Sequence, residues 1–214
     1  MGYTLADIRN RVQVDKLDDE EYSSSIIDNF INDTQRDIFN ECELPFMEKI
    51  FSGTIPVGST IFAFPTDLAQ PQSMVVVSPT GVARDIESGE MEFRDFNRAY
   101  PVPTINTPSE IRNWTLYGGK MLLSAPTDVE YILSTFYIKK PVLLSSDTDV
   151  PELPEEFEEL LVLGAYKRVL ERDGDFDLAA SINVEYNNLL TLLISRYGFR
   201  KNGPIKMKNM QRRV

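Results

Sequence analysis

Ile27, Phe30, Ile31, Thr34 and Ile38 recur at i, i+3, i+4, i+7 and i+11. That is the stripe of a helix with one buried face. Upstream, Leu5, Ile8 and Val12 share a face of a shorter helix, and Thr4 followed by Asp7 reads as its capping box. Ser25 with Asp28 repeats that signal for the second helix, and Pro45 lies just past its end. The polar stretch DKLDDEE separates the two.

From about Phe51 the period falls to two. STIFAFPTDL alternates and stops at Pro65, and SMVVVSPTGVARDI predicts two short strands around Pro79-Thr80-Gly81. NWTLYGGKMLLSAP predicts a hairpin, because Gly118-Gly119 tolerates the positive φ of a two-residue turn. VEYILSTFYIKKP predicts the longest strand, ending at Pro141. A short helix is expected over Glu92–Ala99, inside an otherwise irregular aromatic and proline-rich connection.

Helical signals return at Pro154, a favoured first helical position. Glu155, Glu156, Glu158 and Glu159 crowd the first turns, where the helix dipole favours acids. Gly174 reads as a stop and Asp175 as the next cap. Leu178, Ile182, Tyr186, Leu189, Leu193 and Tyr197 form the stripe of the last helix. The order helices, strands, helices predicts an α+β fold: a bundle of N- and C-terminal helices (1–50 and 151–199), an antiparallel β insertion (51–150) and a C-terminal arm (200–214).

Composition narrows the chemistry. The 214 residues carry 33 acids, 22 bases and no histidine, for a net charge of −11. Without histidine, the usual general base and the commonest transition-metal ligand are missing. One cysteine, Cys42, permits no intrachain disulfide. RDGDFD fails as a calcium loop because Leu178 and Val184 stand where glycine and glutamate are needed. YGGKM fails as a phosphate loop, since Trp114 and Met121 break the motif. Asp147 and Asp149 read as part of a solvated acidic loop, with a carboxylate pair for acid–base work or magnesium as the alternative. The run Asp85, Glu87, Glu90, Glu92 and Asp95 reads as a solvated loop and helix face, with a patch that meets a basic partner as the alternative. No catalytic residue, cofactor or metal is expected. The opening MGYTLADIRNRVQV lacks the apolar core of a signal peptide, and no apolar run has membrane-spanning length.

Two features suit partners. Phe93, Phe96 and Tyr100 at i, i+3 and i+7 read as core or as an anchor on a partner surface. The tail holds Arg200, Lys201, Lys206, Lys208, Arg212 and Arg213 and no acid, which leaves 16 bases against 33 acids, −17, in 1–199. With Ile205, Met207 and Met210 among the charges, the tail reads as an arm that orders against an acidic groove, or as a solubilising end.

TLADIRNRV followed by IIDNFINDTQRDIF, then FPTDL, FRDFNRAYP, and a last strand leading through DTDVP to LVLGAYKRVL, together resemble the bacteriophage head–tail adaptor (connector) family. The resemblance runs from about Thr4 to Leu190. It implies a structural virion protein, not an enzyme, in a homo-oligomeric ring usually of twelve copies. The ring joins the portal protein to the tail or nozzle protein in the neck, lets DNA through without specific binding, touches no membrane, and assembles in the host cytoplasm. It implies an extended C-terminal arm that reaches into the portal and a β region that faces the tail; position and charge assign the arm to Arg200–Arg213, and Phe93, Phe96 and Tyr100 are the expected tail contacts. Another neck or tail ring (a stopper, tail completion or nozzle component) and a carboxylate-dependent enzyme stand as alternatives.

Overall fold

The computed structural model describes residues 2–17 and 22–200. In chain order its elements are α1 (Leu5–Asn10) continued by a π-helical stretch Arg11–Leu17, α2 (Ser24–Glu41), β1 (Cys42–Glu43), β2 (Glu48–Ile55), β3 (Ile61–Ala63), β4 (Leu68–Val77) and β5 (Ala83–Asp85). There follow α3 (Phe93–Ala99), β6 (Trp114–Tyr117), β7 (Lys120–Leu123), β8 (Tyr131–Lys139), α4 (Glu159–Asp173), α5 (Phe176–Tyr197) and β9 (Phe199–Arg200). The fold is α+β, and the chain divides into two units. One holds the chain up to Phe46 and again from Pro141, and the other is Met47–Lys140. The units part there, rather than at 50/51 and 150/151.

In the helical unit, Thr4 caps α1 as its sequence predicts. The Asp7 amide donates to Thr4 Oγ1 at 3.2 Å, and the Thr4 amide donates to the Asp7 carboxylate at 2.9 Å. Leu5, Ile8 and Val12 are fully buried. The α2 cap is a correction. The helix starts two residues earlier than a Ser25 cap allows, Ser23 sits at the cap without a side-chain bond, and Asp28 is spent elsewhere. Arg9 holds Asp28 through two bonds, 2.7 and 2.9 Å, and reaches Asp147 at 2.9 Å. A tertiary charge pair has displaced a local cap.

The stretch 141–150 belongs with these helices because α2 grips its backbone. Asn32 accepts from the Leu144 amide at 2.8 Å and donates to the Leu144 carbonyl at 2.9 Å. Gln35 donates to the Val142 carbonyl at 2.8 Å. The α1 amides of Leu5 and Ala6, which lack intrahelical partners, donate to the carbonyls of Asp149 and Asp147.

After a 3-10 turn at Glu155–Phe157, α4 runs to Gly174 and α5 begins under an Asp175 cap, whose side chain accepts from the Leu178 amide. The buried side of α5 is rotated from the expected stripe. Ala179, Tyr186, Leu190 and Leu193 are buried, whereas Leu178 is 40% exposed. Tyr197 closes this end with its ring near both Phe46 and Phe157. Glu158 is another surprise. Instead of a solvated dipole partner it is 1% exposed, and it accepts from the Tyr3 amide at 2.7 Å. Burial pushes its carboxyl above the ordinary glutamate value.

The β unit holds a four-stranded antiparallel sheet ordered β2-β8-β4-β5 and a three-stranded one ordered β3-β7-β6. The β6–β7 turn follows its sequence, with φ of +58° at Gly118 and +73° at Gly119. The longest strand is β4 with ten residues, not β8 with nine. β4 contains Pro71, and its register with β8 shifts on either side of it, which is how a strand absorbs a proline. Both sheets feed one core that includes Ile55, Met74, Val76, Trp114, Met121 and Leu133. The Trp114 indole donates to the Ile86 carbonyl at 2.7 Å.

Gly164 of α4 lies against Thr34 of α2, where an added Cβ would stand 2.2 Å from Thr34 Cγ2. Gly164→Ala is therefore expected to lower stability by about 1–3 kcal/mol through overpacking. Adding Thr34→Ala recovers much of that loss in denaturant unfolding, and a Gly164→Ala chain as stable as wild type would sink the assignment. Glu158 supplies a pH test. The folded state holds its proton more tightly than the unfolded state, so this group lowers stability as pH rises through its titration. Glu158→Gln keeps an acceptor for Tyr3 without titrating. Its stability relative to wild type is expected to grow as pH climbs past 4.5, the ordinary glutamate value, in unfolding curves taken across that range.

Candidate interaction surfaces

The two units differ sharply in charge. Leaving out 200–214, the helical unit has 8 basic against 23 acidic residues, and Met47–Lys140 has 8 against 10. The helical unit's excess is therefore −15 and the β unit's −2. Most helical bases are also held by local acids or rings. Arg9 pairs with Asp28 and Asp147, Arg11 with Glu159, Arg36 with Asp33, Arg168 with Asp37 and Arg196 with Glu156. Arg172 lies 5.5 Å over the Tyr22 ring.

Against that acidity, one helix face is nearly uncharged. In α5, between Asp177 and Arg196, the only ionisable acid or base among Leu178–Ser195 is Glu185, apart from the buried Tyr186 phenol. Its exposed side carries Val184 at 59% and Leu192 at 56%, among Ser181, Asn188, Thr191 and Ser195. A solvated helix face normally carries charge. One without it, holding exposed branched aliphatics, suits a protein partner.

The Asp147 and Asp149 carboxylates are both engaged by neighbouring groups. Asp147 is held by Arg9. Asp149 accepts the amides of Ser145 and Ser146, which hold its carboxyl below the usual range. Both organise the 145–149 turn. A groove between α2, α4 and α5 is lined by Asp37, Glu41, Lys167, Arg168, Glu171 and Tyr186. It is a seam of paired charges rather than an apolar ligand pocket. Burial raises the Tyr186 phenol far above its ordinary value.

Of the expected partner residues, Arg200 ends β9, which pairs antiparallel with β1 (Cys42 opposite Arg200). Lys201, Ile205, Lys206, Met207, Lys208, Met210, Arg212 and Arg213 lie outside the described residues. The three aromatics have separate tasks. Phe96 is 2% exposed and belongs to the core. Phe93 stacks on Tyr117 with ring centroids 4.0 Å apart. The Tyr100 hydroxyl accepts from Asn113 at 2.6 Å. Together they fasten α3 to the β6–β7 hairpin.

The family model described as SU10 adaptor protein matches residues 3–207. The chain belongs to that family of phage head–tail adaptors. A search of curated proteins finds no significant match. Membership makes this adaptor a structural virion component that works with other head and tail proteins.

The adaptor's β unit holds one surface the sequence did not reveal. Across the outer face of its larger sheet, Ile50 pairs with Phe136, which pairs with Ser73. Thr54 pairs with Ile132, which pairs with Val77. Ile50, Ile132 and Phe136 are each about half or more exposed. The outer face of an antiparallel sheet is ordinarily polar, so apolar side chains there suit contact with a partner. β2 was absent from the expected strands because Ile50 points outward and Gly53 inward, which breaks the alternation that reveals a strand.

Proposed function

We propose that this chain is the ring protein of the neck, about twelve copies arranged between portal and tail with DNA passing through the middle. The family match over 3–207, which spans both units, carries this reading. The charge partition supports its finer parts. An acidic helical unit lining the channel repels phosphate and lets DNA slide. Identical acidic units can meet only where charge is sparse, and the exposed side of α5 is such a place. The basic arm from Arg200 to Arg213, opposite in sign to the body, anchors the ring to the portal. The near-neutral β unit, with Phe93 and Tyr100 at its α3 side, faces the tail, while the buried Phe96 supports that face from inside.

Native mass spectrometry of the chain mixed with portal rings from the same particle tests this. A chain ending at Arg200 keeps β9 and removes the rest of the arm. The full chain is expected to load the portal in a fixed copy number and the shortened chain to fail. Val184→Lys with Leu192→Lys, both at exposed positions, should leave thermal unfolding unchanged and abolish self-association. Portal loading by neither the full chain nor the shortened one would sink the portal-bound reading, and intact rings in the double lysine variant would move the copy interface off α5.

A further inference from the structure

The larger sheet of the β unit has two unequal edges. β5 is three residues long and follows directly on the Ser78–Val82 turn. β2 is eight residues, about 27 Å of strand, and among the described residues only β8 pairs with it. Proteins blunt such edges with lysines, prolines, bulges or inward charges. In β2 that protection stops at its start. Lys49 bonds to the Asp67 carboxylate at 2.8 Å, and from Ile50 to Ile55 the strand has no charge, no proline and no register break. The face beside it continues the same character. Ser52 lies beside Ser134 and Val75, and Thr54 beside Ile132 and Val77; charge enters only at Glu48 and Asp85.

We propose that β2 is completed by a strand from a different polypeptide, so that the adaptor's sheet continues into a neighbouring head or tail protein. The partner segment is extended, uncharged and free of proline, with an apolar side chain placed to pack beside Ile50 on the outer face. Main-chain hydrogen bonds along the edge supply affinity, and the apolar face supplies register. The proposal rests on the adaptor reading above, and that reading excludes the other occupants. Among the described residues a neighbouring copy offers β1, β3, β5, β6 and β9, which are two to four residues against eight, or its own β2. Pairing β2 with β2 is two-fold and closes a dimer instead of propagating around a ring. The chain's own tail beyond Arg200 carries Pro204 and five basic residues, and suits neither an uncharged face nor a strand ladder.

The test uses complete tailed particles. A benzophenone amino acid replaces Ser52, an exposed position on β2, and hydrogen exchange of the β2 amides is compared between the isolated chain and the particle. Expected is a photo-crosslink to a proline-free segment of an identified virion protein other than the adaptor. The β2 amides should also slow by about tenfold or more in the particle. A crosslink to another adaptor copy, or β2 amides that exchange equally in both states, overturns the proposal. A Ser52→Lys, Thr54→Lys chain gives a second readout: unchanged thermal unfolding and ring mass, with joining of tails to heads lost. Full tail joining by that variant also overturns it. The copy number of the isolated wild-type chain is read separately, so failure of the ring reading is distinguished from failure of the edge.

Discussion

The pairing of β2 with β8 is the contact on which the rest of the molecule depends. The helical unit is made from two stretches of chain separated by the whole of Met47–Lys140. Closing a flexible loop of that length costs about 4 kcal/mol beyond a constant, by the logarithmic rule. The insertion removes most of that cost itself, because its first and last strands are neighbours. Glu48 stands opposite Ile138, and the ladder continues to Ile55 opposite Tyr131. Once the sheet forms, the chain leaves the β unit beside the point where it entered. Asn32 and Gln35 then need only capture Leu144 and Val142, and Arg9 need only reach Asp28 and Asp147, to close the helical unit.

That order of dependence explains which parts were legible in sequence. Features set by neighbours along the chain read correctly: the Thr4–Asp7 box, the Gly118-Gly119 turn, the stop at Gly174 and the Asp175 cap. Features set by distant partners did not. Ser25–Asp28 looks as good a cap as Thr4–Asp7, but Arg9 claims Asp28. Glu158 looks like its three glutamate neighbours, and only the folded N-terminal segment buries it against the Tyr3 amide. The α5 stripe was misjudged by a rotation for the same reason, since packing against α4 chooses between two plausible apolar faces. Pro71 lies within the longest strand only because β4 bulges around it.

The partner surfaces were less legible than the fold. A helical triplet such as Phe93, Phe96 and Tyr100 announces that aromatics share a side, not whether that side is covered. Phe96 sits in the core while Phe93 stacks on the hairpin. The uncharged side of α5 can be read from sequence as a count, one exposed charge among Leu178–Ser195, but its exposure cannot. The outer sheet face is invisible in sequence because it mixes serines and threonines with Ile50, Ile132 and Phe136, and only the register sets them side by side.

Charge then decides what each unit can touch. At physiological ionic strength, surface charges interact over about 8 Å. Two copies of a unit with 15 excess acids therefore repel wherever acidic faces come within contact distance, and separation by a few water layers relieves most of it. Close association of such copies needs a face where the excess is locally absent, and basic segments find the remaining surface attractive. The near-neutral β unit has no such restriction. Its contacts are chosen by shape, apolar area and open strand edge, which are insensitive to salt. A chain built this way concentrates its net charge in the helical unit and keeps apolar area and open strand edge in the near-neutral sheet. The two properties coexist because acids and bases nearly balance in the β unit while acids dominate in the helical one.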